Sequence, residues 1–399
     1  MKKLIKKVGD GIVIYLLRIV FLFLKKDYNM CIFGDFSGKR FGDNSKYLYL
    51  YLNNNRKYFK RIIWITSSKR VFDELKKNKY DVCYKYSLKS IYYHLKAKYH
   101  FIDQGEMDIF GFFSRNSIRI NLWHGIPLKK IMKFCSGYNK KYVGGWENQY
   151  LLTCSDFGDK TLGKAFGVSN DKMIKGLYPR VDSLINENYP IFKIEEPYIE
   201  KIKELKDKGK TVLLYLPTFR DEHKLKFLGI NNETELKDFF IFLKENDYFL
   251  MSKIHLVDLF DVSDSMNDII LKYGKEVFLN LESDIDIYPV LKQIDILITD
   301  YSSVYFDFLA LNKDIIFYPY DLSIYQNADR GLLFNYDEIT PGDKVYSIEE
   351  LKNNLKVKIL KRDMFEAERK KLYEVCFQNH TIEDTIKNII NIKELKNEF

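Results

Sequence analysis

Short apolar runs alternate with longer amphipathic segments along most of the chain. The clearest run, Ile294–Thr299, is nearly continuous in hydrophobic residues and predicts a parallel strand buried on both faces. A helix is predicted to follow, capped by Ser302 or Ser303, before Ile315–Tyr318 forms the next strand. The residues expected to face the core from this helix are Val304, Phe308 and Leu311. The segment is a βαβ unit, and open α/β sheets bind ligands beyond the carboxyl ends of their strands.

The same alternation predicts a series of strands in each half of the chain. It indicates an α/β protein with two Rossmann-like domains that meet across a cleft, residues 27–185 and 186–375, followed by a helical segment, 376–399. The loop after the first strand lacks a G-x-G-x-x-G pattern, so dinucleotide binding is not supported. The other predicted strands are Cys31–Phe33, Ile62–Ile65, Val82–Tyr84, Tyr99–Ile102, Ile118–Leu122, Leu151–Cys154, Thr211–Leu216, Phe249–Lys253 and Val277–Asn280.

Residues 1–26 form a distinct segment in which lysines flank an apolar stretch interrupted by Arg18. Its uninterrupted apolar length is below the roughly 20 residues that span a bilayer. No small-residue cleavage site follows it, so a secretory signal is not expected. The spacing of its apolar residues predicts an amphipathic helix on an anionic membrane surface. A helix packed on its own domain or on a partner chain is the alternative.

Charge and cysteine content narrow the class of protein. The 399 residues include 64 basic and 55 acidic ones, a net charge of +9 that is compatible with anionic lipid, nucleic acid or a phosphorylated substrate. The positive charge reads as scattered and no stacking motif accompanies it, so nucleic acid is not an expected partner. The five cysteines lie far apart without a C-x-x-C pair, which argues against a zinc ribbon or a disulfide framework and for a reducing cytoplasm.

Polar clusters follow several predicted strands, where ligands collect. His124 and His255 are the two of six histidines at such positions, and Thr218 and Arg220 follow the first strand of the second series. Two serine hydroxyls and the free N–H groups at the helix start after Ile294–Thr299 are suited to an anion. A structural role for each of these residues, as a cap, a packed ring or a surface ion pair, is the alternative.

Several short motifs follow one another along the chain, namely Gly42–Tyr47, Trp123–Lys129, Gly176–Asp182, Pro217–Asp221, Thr299–Ser303 and Arg330–Gly331. Their order resembles that of the CDP-glycerol glycerophosphotransferase family, the primases and polymerases of teichoic acids and related capsules. The resemblance covers roughly residues 28–380. It implies a GT-B fold with the active site between two Rossmann-like domains, and peripheral attachment to the cytoplasmic face of the cell membrane.

The resemblance also implies a reaction, in which an acceptor hydroxyl attacks the β-phosphorus of a CDP-alditol and CMP leaves. Charge develops on phosphate oxygens, so hydrogen-bond donors and cations are expected around them. His124 would be the general base, and His255 would contact phosphate or protonate the leaving group. The implied donor-binding residues are Thr218, Arg220, Ser302, Ser303, Asp307 (on the ribose) and Arg330, and the implied acceptor-side residues are Asn44 and Lys129.

Some features depart from the family or stay open. Ile126 stands where the family usually has Thr, and Leu256 where it usually has Pro, which affects the expected donor or acceptor. A helix-surface carboxylate is the alternative for Asp307, and a helix cap for Thr218. No cluster has the spacing of a metal site; no cofactor is firmly implied, and a Mg²⁺ ion held on the pyrophosphate is left open.

The predicted function is transfer of glycerol phosphate, or a related alditol phosphate, from CDP-glycerol or CDP-ribitol to a lipid-linked glycan or a growing teichoic acid or capsule polymer. A primase suits the length of the chain, and a polymerase stays open. The first alternative is a GT-B glycosyltransferase that uses a nucleotide sugar. The second is a non-catalytic scaffold of envelope assembly.

Overall fold

The computed structural model describes residues 25–114, 116–135, 149–220, 226–254, 268–329, 331–358 and 363–395. The predicted N-terminal helix falls mostly on residues 1–24, which lie outside this set. No helix within these ranges is long and apolar enough to cross a bilayer. The chain divides into two compact units. The first unit contains the described residues up to His124, residues 149–152 and the described residues from Ile386 onward. The second unit contains the described residues from Gly125 to 135 and from Thr153 to Thr385.

Seven of the described strands form the first sheet, namely β1 (Asp27–Phe33), β2 (Arg61–Thr66), β3 (Val82–Tyr84), β4 (Ala97–Ile102), β5 (Ile118–Asn121), β6 (Tyr150–Thr153) and β7 (Met173–Lys175). Their order is β3-β2-β1-β4-β5-β6-β7, and β1 to β6 pair in parallel. In the register of the central strand, Ile32 lies opposite Ile63 and His100. The order reverses between β1 and β4, which is the switch point where such sheets bind ligands.

The second sheet contains six strands within the described ranges, namely β8 (Thr211–Leu216), β9 (Tyr248–Ser252), β10 (Phe278–Asn280), β11 (Ile296–Thr299), β12 (Asp314–Phe317) and β13 (Asp343–Lys344). Their order is β10-β9-β8-β11-β12-β13 and every pair is parallel. The order reverses between β8 and β11, which gives this sheet its own switch point. Apolar side chains from β8, β9, β11 and β12 join helical residues such as Phe239 and Leu351 in one core.

Helices follow most strands. Their starts are fixed locally: the side chains of Ser68, Ser87, Ser155 and Asn232 each accept a hydrogen bond from a backbone N–H of the first turn. The helices are α1 (Asp43–Asn54), α2 (Lys69–Lys77), α3 (Leu88–Lys96), α4 (Asp156–Phe166), α5 (Pro179–Ile185), α6 (Glu196–Asp207), α7 (Glu233–Glu245), α8 (Tyr288–Gln293), α9 (Val304–Phe308), α10 (Leu322–Ala328), α11 (Tyr336–Ile339), α12 (Ile348–Lys358), α13 (Glu366–Phe377) and α14 (Ile382–Leu395).

The predicted βαβ unit is confirmed as β11, α9 and β12, with differences in detail. All four residues of β11 are buried between β8 and β12. The prediction of which residues of α9 face the core is partly wrong: Phe308 is buried, but Val304 and Leu311 are only half-buried. The helix has only five residues before a 3₁₀ turn changes the spacing, so Tyr305 and Phe306 fill the core instead.

The predicted boundary between residues 185 and 186 falls between the last strand of the first sheet and the first strand of the second. The compact units divide the chain differently, because residues 153–185 group with the second unit. The hydroxyl of Thr385 in α14 donates to the carbonyl of Leu177 at 2.8 Å, which ties this helix to the segment before α5. The domain limits given by the sequence therefore stay a prediction.

Candidate functional site

His124 lies in a tight turn that follows β5. Oδ1 of Asn121 accepts the N–H of Trp123 at 2.8 Å, and Trp123 has a φ of 53°, which is rare for a bulky residue. The indole of Trp123 packs against the imidazole of His124, with 3.7 Å between ring centroids. His124 is half-buried. The turn therefore presents a partly accessible imidazole on a buried aromatic side chain.

Asn44 supports this turn from α1. Its side chain is fully buried, and Nδ2 donates to the carbonyls of Leu122 at 3.2 Å and Trp123 at 2.7 Å. These hydrogen bonds give Asn44 a positioning role for the His124 turn. Contact between Asn44 and an acceptor stays a prediction.

The switch point of the first sheet is crowded with carboxylates. Asp35 follows β1, and Asp103 and Asp108 follow β4, and all three are buried. Arg40 pairs with Asp35 at 2.8 Å, while Asp103 and Asp108 accept backbone N–H groups. Burial raises the pKa of Asp35 to about 7, although Arg40 opposes this. Burial and the neighbouring carboxylates also raise the pKa of Asp103.

At the switch point of the second sheet, Asp300 joins the segments that follow β8 and β11. Its Oδ1 accepts the N–H of Thr218 at 2.8 Å, and its Oδ2 accepts Nη2 of Arg220 at 2.8 Å. Thr218 is buried, and its hydroxyl has no hydrogen-bond partner among the described residues. The structure thus brings together three residues of two separate motifs and leaves a hydroxyl group at their meeting point.

Arg220 is held on all sides. Besides Asp300, its Nε and Nη2 donate to Asp321 at 2.8 and 2.9 Å, and its guanidinium lies 4.9 and 5.1 Å from the ring centroids of Tyr301 and Tyr325. Burial lowers its pKa, but Asp300 and Asp321 more than offset this, so the pKa is raised. Arg220 is a permanent cation whose hydrogen bonds hold the site together. Its predicted contact with a pyrophosphate is not tested by this geometry.

Ser302 and Ser303 lie directly after Asp300 and Tyr301, and both are half-buried. Ser303 occupies the N-cap position of α9, but its side chain makes no capping hydrogen bond. The Ser303 hydroxyl therefore does not cap the helix. The polar groups left at this end of β11 are hydroxyls and helix N–H groups, which are donors to an anion.

Asp307 is buried inside the second unit, so the alternative of a helix-surface carboxylate is wrong. Its Oδ2 accepts Nη2 of Arg180 and the hydroxyl of Tyr288, each at 2.7 Å. Gly125, the residue after His124, has a φ of +100°, and a Cβ there would collide with Nη2 of Arg180. The Arg180–Asp307 pair therefore packs against the backbone next to His124. Contact of Asp307 with a ribose stays a prediction.

The remaining predicted residues fall into two groups. Lys129 is half-buried and forms an antiparallel bridge with Leu332, and the N–H of Lys130 donates to the carbonyl of Gly331 at 3.1 Å. The acceptor-side motif and the segment that follows Arg330 are thus neighbours in the second unit. Arg330 itself and His255 lie outside the described residues.

Several residues at this site were not singled out from the sequence. Asp321 and Tyr288 carry no local motif, and they contact Arg220 and Asp307 only because the fold joins segments distant in sequence. Arg180 lies within the Gly176–Asp182 motif, and this motif was the sequence feature that could have identified it as a site residue. Within the described ranges, no group of three or more His, Cys, Asp or Glu side chains is arranged to hold a metal ion.

Comparison with known proteins extends over nearly the whole chain. Residues 16–383 match the family described as CDP-Glycerol:Poly(glycerophosphate) glycerophosphotransferase. A teichoic acid poly(glycerol phosphate) polymerase of Bacillus spizizenii is 29% identical over 349 residues, covering 82% of this chain and 83% of the relative. A teichoic acid glycerol-phosphate transferase of Staphylococcus aureus is 29% identical over 354 residues, with coverage of 82% and 83%.

A solved structure shares the fold. A variant of the wall teichoic acid polymerase TagF superposes with a TM-score of 0.74 at 20% identity, covering 100% of this chain and 98% of the other. The motifs that carried the resemblance in the sequence lie within the residues matched by the family. The chain therefore belongs to the CDP-glycerol:poly(glycerophosphate) glycerophosphotransferase family, a family of transferases.

Proposed function

We propose that this protein transfers glycerol phosphate from CDP-glycerol to a hydroxyl of a lipid-linked teichoic acid chain and releases CMP. The observation that carries the proposal is the family match over residues 16–383, which includes both sheets and both switch points. We further propose a GT-B arrangement, with acceptor and donor bound by the first and second sheets, at the cytoplasmic face of the membrane.

The second switch point is suited to a pyrophosphate. Thr218 offers a buried hydroxyl without a protein partner among the described residues, and Ser302 and Ser303 add hydroxyls at the start of α9. Such donors stabilise the negative charge that develops on phosphate oxygens during transfer. Through its pairs with Asp300 and Asp321, Arg220 holds together the segments that carry Thr218 and the two serines. Arg330 and His255 keep the roles that the family resemblance implies.

His124 is the proposed general base. An imidazole has an ordinary pKa of about 6.5, so a neutral ring that accepts the acceptor proton is accessible at neutral pH. Its half-buried position on Trp123 fixes the ring and leaves part of it accessible. The hydrogen bonds of Asn44 and Asn121 hold the backbone of the turn in place. The entropy cost of ordering His124 when the acceptor binds is therefore smaller.

The test is release of CMP from CDP-glycerol with and without a lipid-linked acceptor. We expect release only with the acceptor, and we expect His124→Ala to lower kcat by about 10²–10⁴-fold, the usual contribution of general base catalysis. His380→Ala is the matched control, because His380 lies between α13 and α14 with its ring 4.0 Å from the carboxylate of Asp384. Absence of CMP release by the wild type with a validated acceptor would contradict the proposal. Equal activity of the two variants would remove His124 from the mechanism.

A further inference from the structure

An aromatic side chain is exposed at the carboxyl end of β8, an inner strand of the second sheet. Phe219 is 59% exposed, whereas its neighbours Thr218 and Arg220 are 3% and 2% exposed. Burial therefore alternates along this loop: two side chains turn into the protein, and the ring of Phe219 turns to the solvent. Among the described residues of the second unit, the other exposed aromatic side chain is Tyr346, which follows the edge strand β13.

The backbone on both sides of Phe219 is held in place. The N–H of Thr218 donates to Oδ1 of Asp300 at 2.8 Å, and Nη1 of Arg220 donates to the carbonyl of Thr218. The guanidinium of Arg220 is itself paired with Asp300 and Asp321 at 2.8 Å. A ring on a fixed backbone loses little conformational freedom when a ligand covers it. Phe219 is therefore a pre-organised flat surface.

This surface lies beside the hydroxyl groups proposed to bind phosphate. The buried hydroxyl of Thr218 has no hydrogen-bond partner among the described residues. Strands β8 and β11 pair in parallel, so the loop that carries Phe219 and the loop that carries Ser302 and Ser303 leave the sheet side by side. A ligand whose phosphates meet these hydroxyls brings its remaining groups close to the ring of Phe219.

The chemistry of the ring favours one part of such a ligand. CDP-glycerol consists of a diphosphate, a ribose, a glycerol and a cytosine, and of these only the cytosine has a planar π face. Stacking on an aromatic ring covers both faces and needs no hydrogen bond from the ring. A single exposed aromatic side chain needs no ligand to explain it. Phe219 differs from Tyr346 in its fixed backbone and in its place beside phosphate donors.

We propose that the ring of Phe219 stacks on the cytosine of the donor nucleotide while Thr218, Ser302 and Ser303 bind its pyrophosphate. The inference rests on the proposed function, because the donor CDP-glycerol brings the cytosine to this site. The cytosine belongs to the leaving CMP and takes no part in bond making or breaking. The stacking contact is therefore equal in the ground state and the transition state, and it contributes to KM rather than to kcat.

The test is calorimetric titration of the full chain with CMP and, separately, with inorganic pyrophosphate, which has no base. Phe219→Leu removes the π face and keeps an apolar side chain, Phe219→Tyr keeps the π face, and Tyr346→Leu is the matched control. We expect Phe219→Leu to bind CMP about tenfold more weakly than the wild type, with its affinity for pyrophosphate unchanged. Phe219→Tyr and Tyr346→Leu should bind both ligands like the wild type.

Steady-state kinetics of CMP release with a lipid-linked acceptor give a second readout. We expect Phe219→Leu to raise the KM for CDP-glycerol about tenfold and to leave kcat within about twofold of the wild type. A disturbed loop would instead lower kcat as well, because it would also displace Thr218.

Three outcomes would overturn the inference: CMP affinity unchanged in Phe219→Leu, an equal loss of affinity for CMP and pyrophosphate, or a wild type that binds no CMP. Failure of the proposed function gives a different result. A wild type that binds CMP but releases none from CDP-glycerol would contradict the transferase proposal and leave the stacking result intact.

Discussion

The two sheets share the strand order around their switch points but differ in how those points handle charge. In the first sheet, Asp35, Asp103 and Asp108 are buried with Arg40 as a neighbouring cation, and the pKa of each carboxyl is raised, mainly by burial. In the second sheet, Arg220 is bonded to Asp300 and Asp321, and Arg180 to Asp307. The same strand order therefore supports two different sites: carboxyls with raised pKa values at the first switch point, and buried ion pairs at the second.

The difference follows from the number and placement of cations. Arg40 is partly exposed and pairs directly with Asp35, while Asp43 lies farther away at 3.8 Å. Asp103 therefore relies on backbone N–H groups. Arg220 is fully buried and uses its planar donors on two carboxylates at once. Paired buried charges should make the second switch point rigid and insensitive to pH. The acidic first switch point should respond to pH in the physiological range.

The largest effect is expected from breaking the paired region. Arg220→Met leaves Asp300 and Asp321 buried without their cation, which costs about 3–5 kcal/mol of unfolding free energy. Scanning calorimetry of the full chain would show this as a lower unfolding temperature. Lys201→Met is the control, because the Lys201–Glu204 pair is exposed and such pairs contribute about 0–1 kcal/mol. Similar effects of both substitutions would contradict the role given to Arg220.

A smaller effect is expected at Gly125, where the Arg180–Asp307 pair meets the backbone. Gly125→Ala forces a Cβ against Nη2 of Arg180 in addition to straining a φ of +100°, so we expect a loss of about 2–3 kcal/mol. Gly209→Ala isolates the strain, since Gly209 has a φ of +75° and open space around its Cβ position. It should cost about 1 kcal/mol. Urea unfolding measures both, and equal losses would show that Arg180 does not constrain Gly125.

The smallest effect concerns the pH dependence of the first switch point. The folded state of Asp35 has a pKa of about 7 against an ordinary value of 3.8, so the folded protein binds this proton more tightly than the unfolded chain. Its contribution to stability is present below about pH 4 and is lost as the pH rises to 7. Asp35→Asn should reduce the fall in unfolding free energy between about pH 5 and pH 8 by about 1–2 kcal/mol.

Urea unfolding at the two pH values, followed by tryptophan fluorescence, tests this prediction. The control is Asp156→Asn, which lies at the surface in a pair with Lys175. A pH dependence unchanged by Asp35→Asn would contradict the proton uptake assigned to this carboxyl.

The sequence predicted eleven of the thirteen described strands and the positions of the motifs, because both are local; it missed the short strands β7 and β13. Apolar runs located β8 and β11 to within two residues, and the polar residues after them, Thr218 and Ser302, do lie at the ends of their strands. The partners of these residues were not predictable. Arg180 and Asp307 are 127 residues apart, and Arg220 and Asp321 are 101 apart, so only the fold brings them together.

The burial of Asp307 could not be predicted from the sequence either. Asp307 has the spacing of a helix-surface residue, but α9 is short and buried on several sides, so its carboxylate lies inside the protein.

The most direct test of the account is the mass of the product formed from a lipid-linked acceptor. The protein should be incubated with CDP-glycerol, with CDP-ribitol and with nucleotide sugars in parallel, and the acceptor analysed by mass spectrometry. The account predicts addition of glycerol phosphate from CDP-glycerol, joined through a phosphodiester. An acceptor that gains a sugar through a glycosidic bond, or that stays unmodified with every donor, would contradict it.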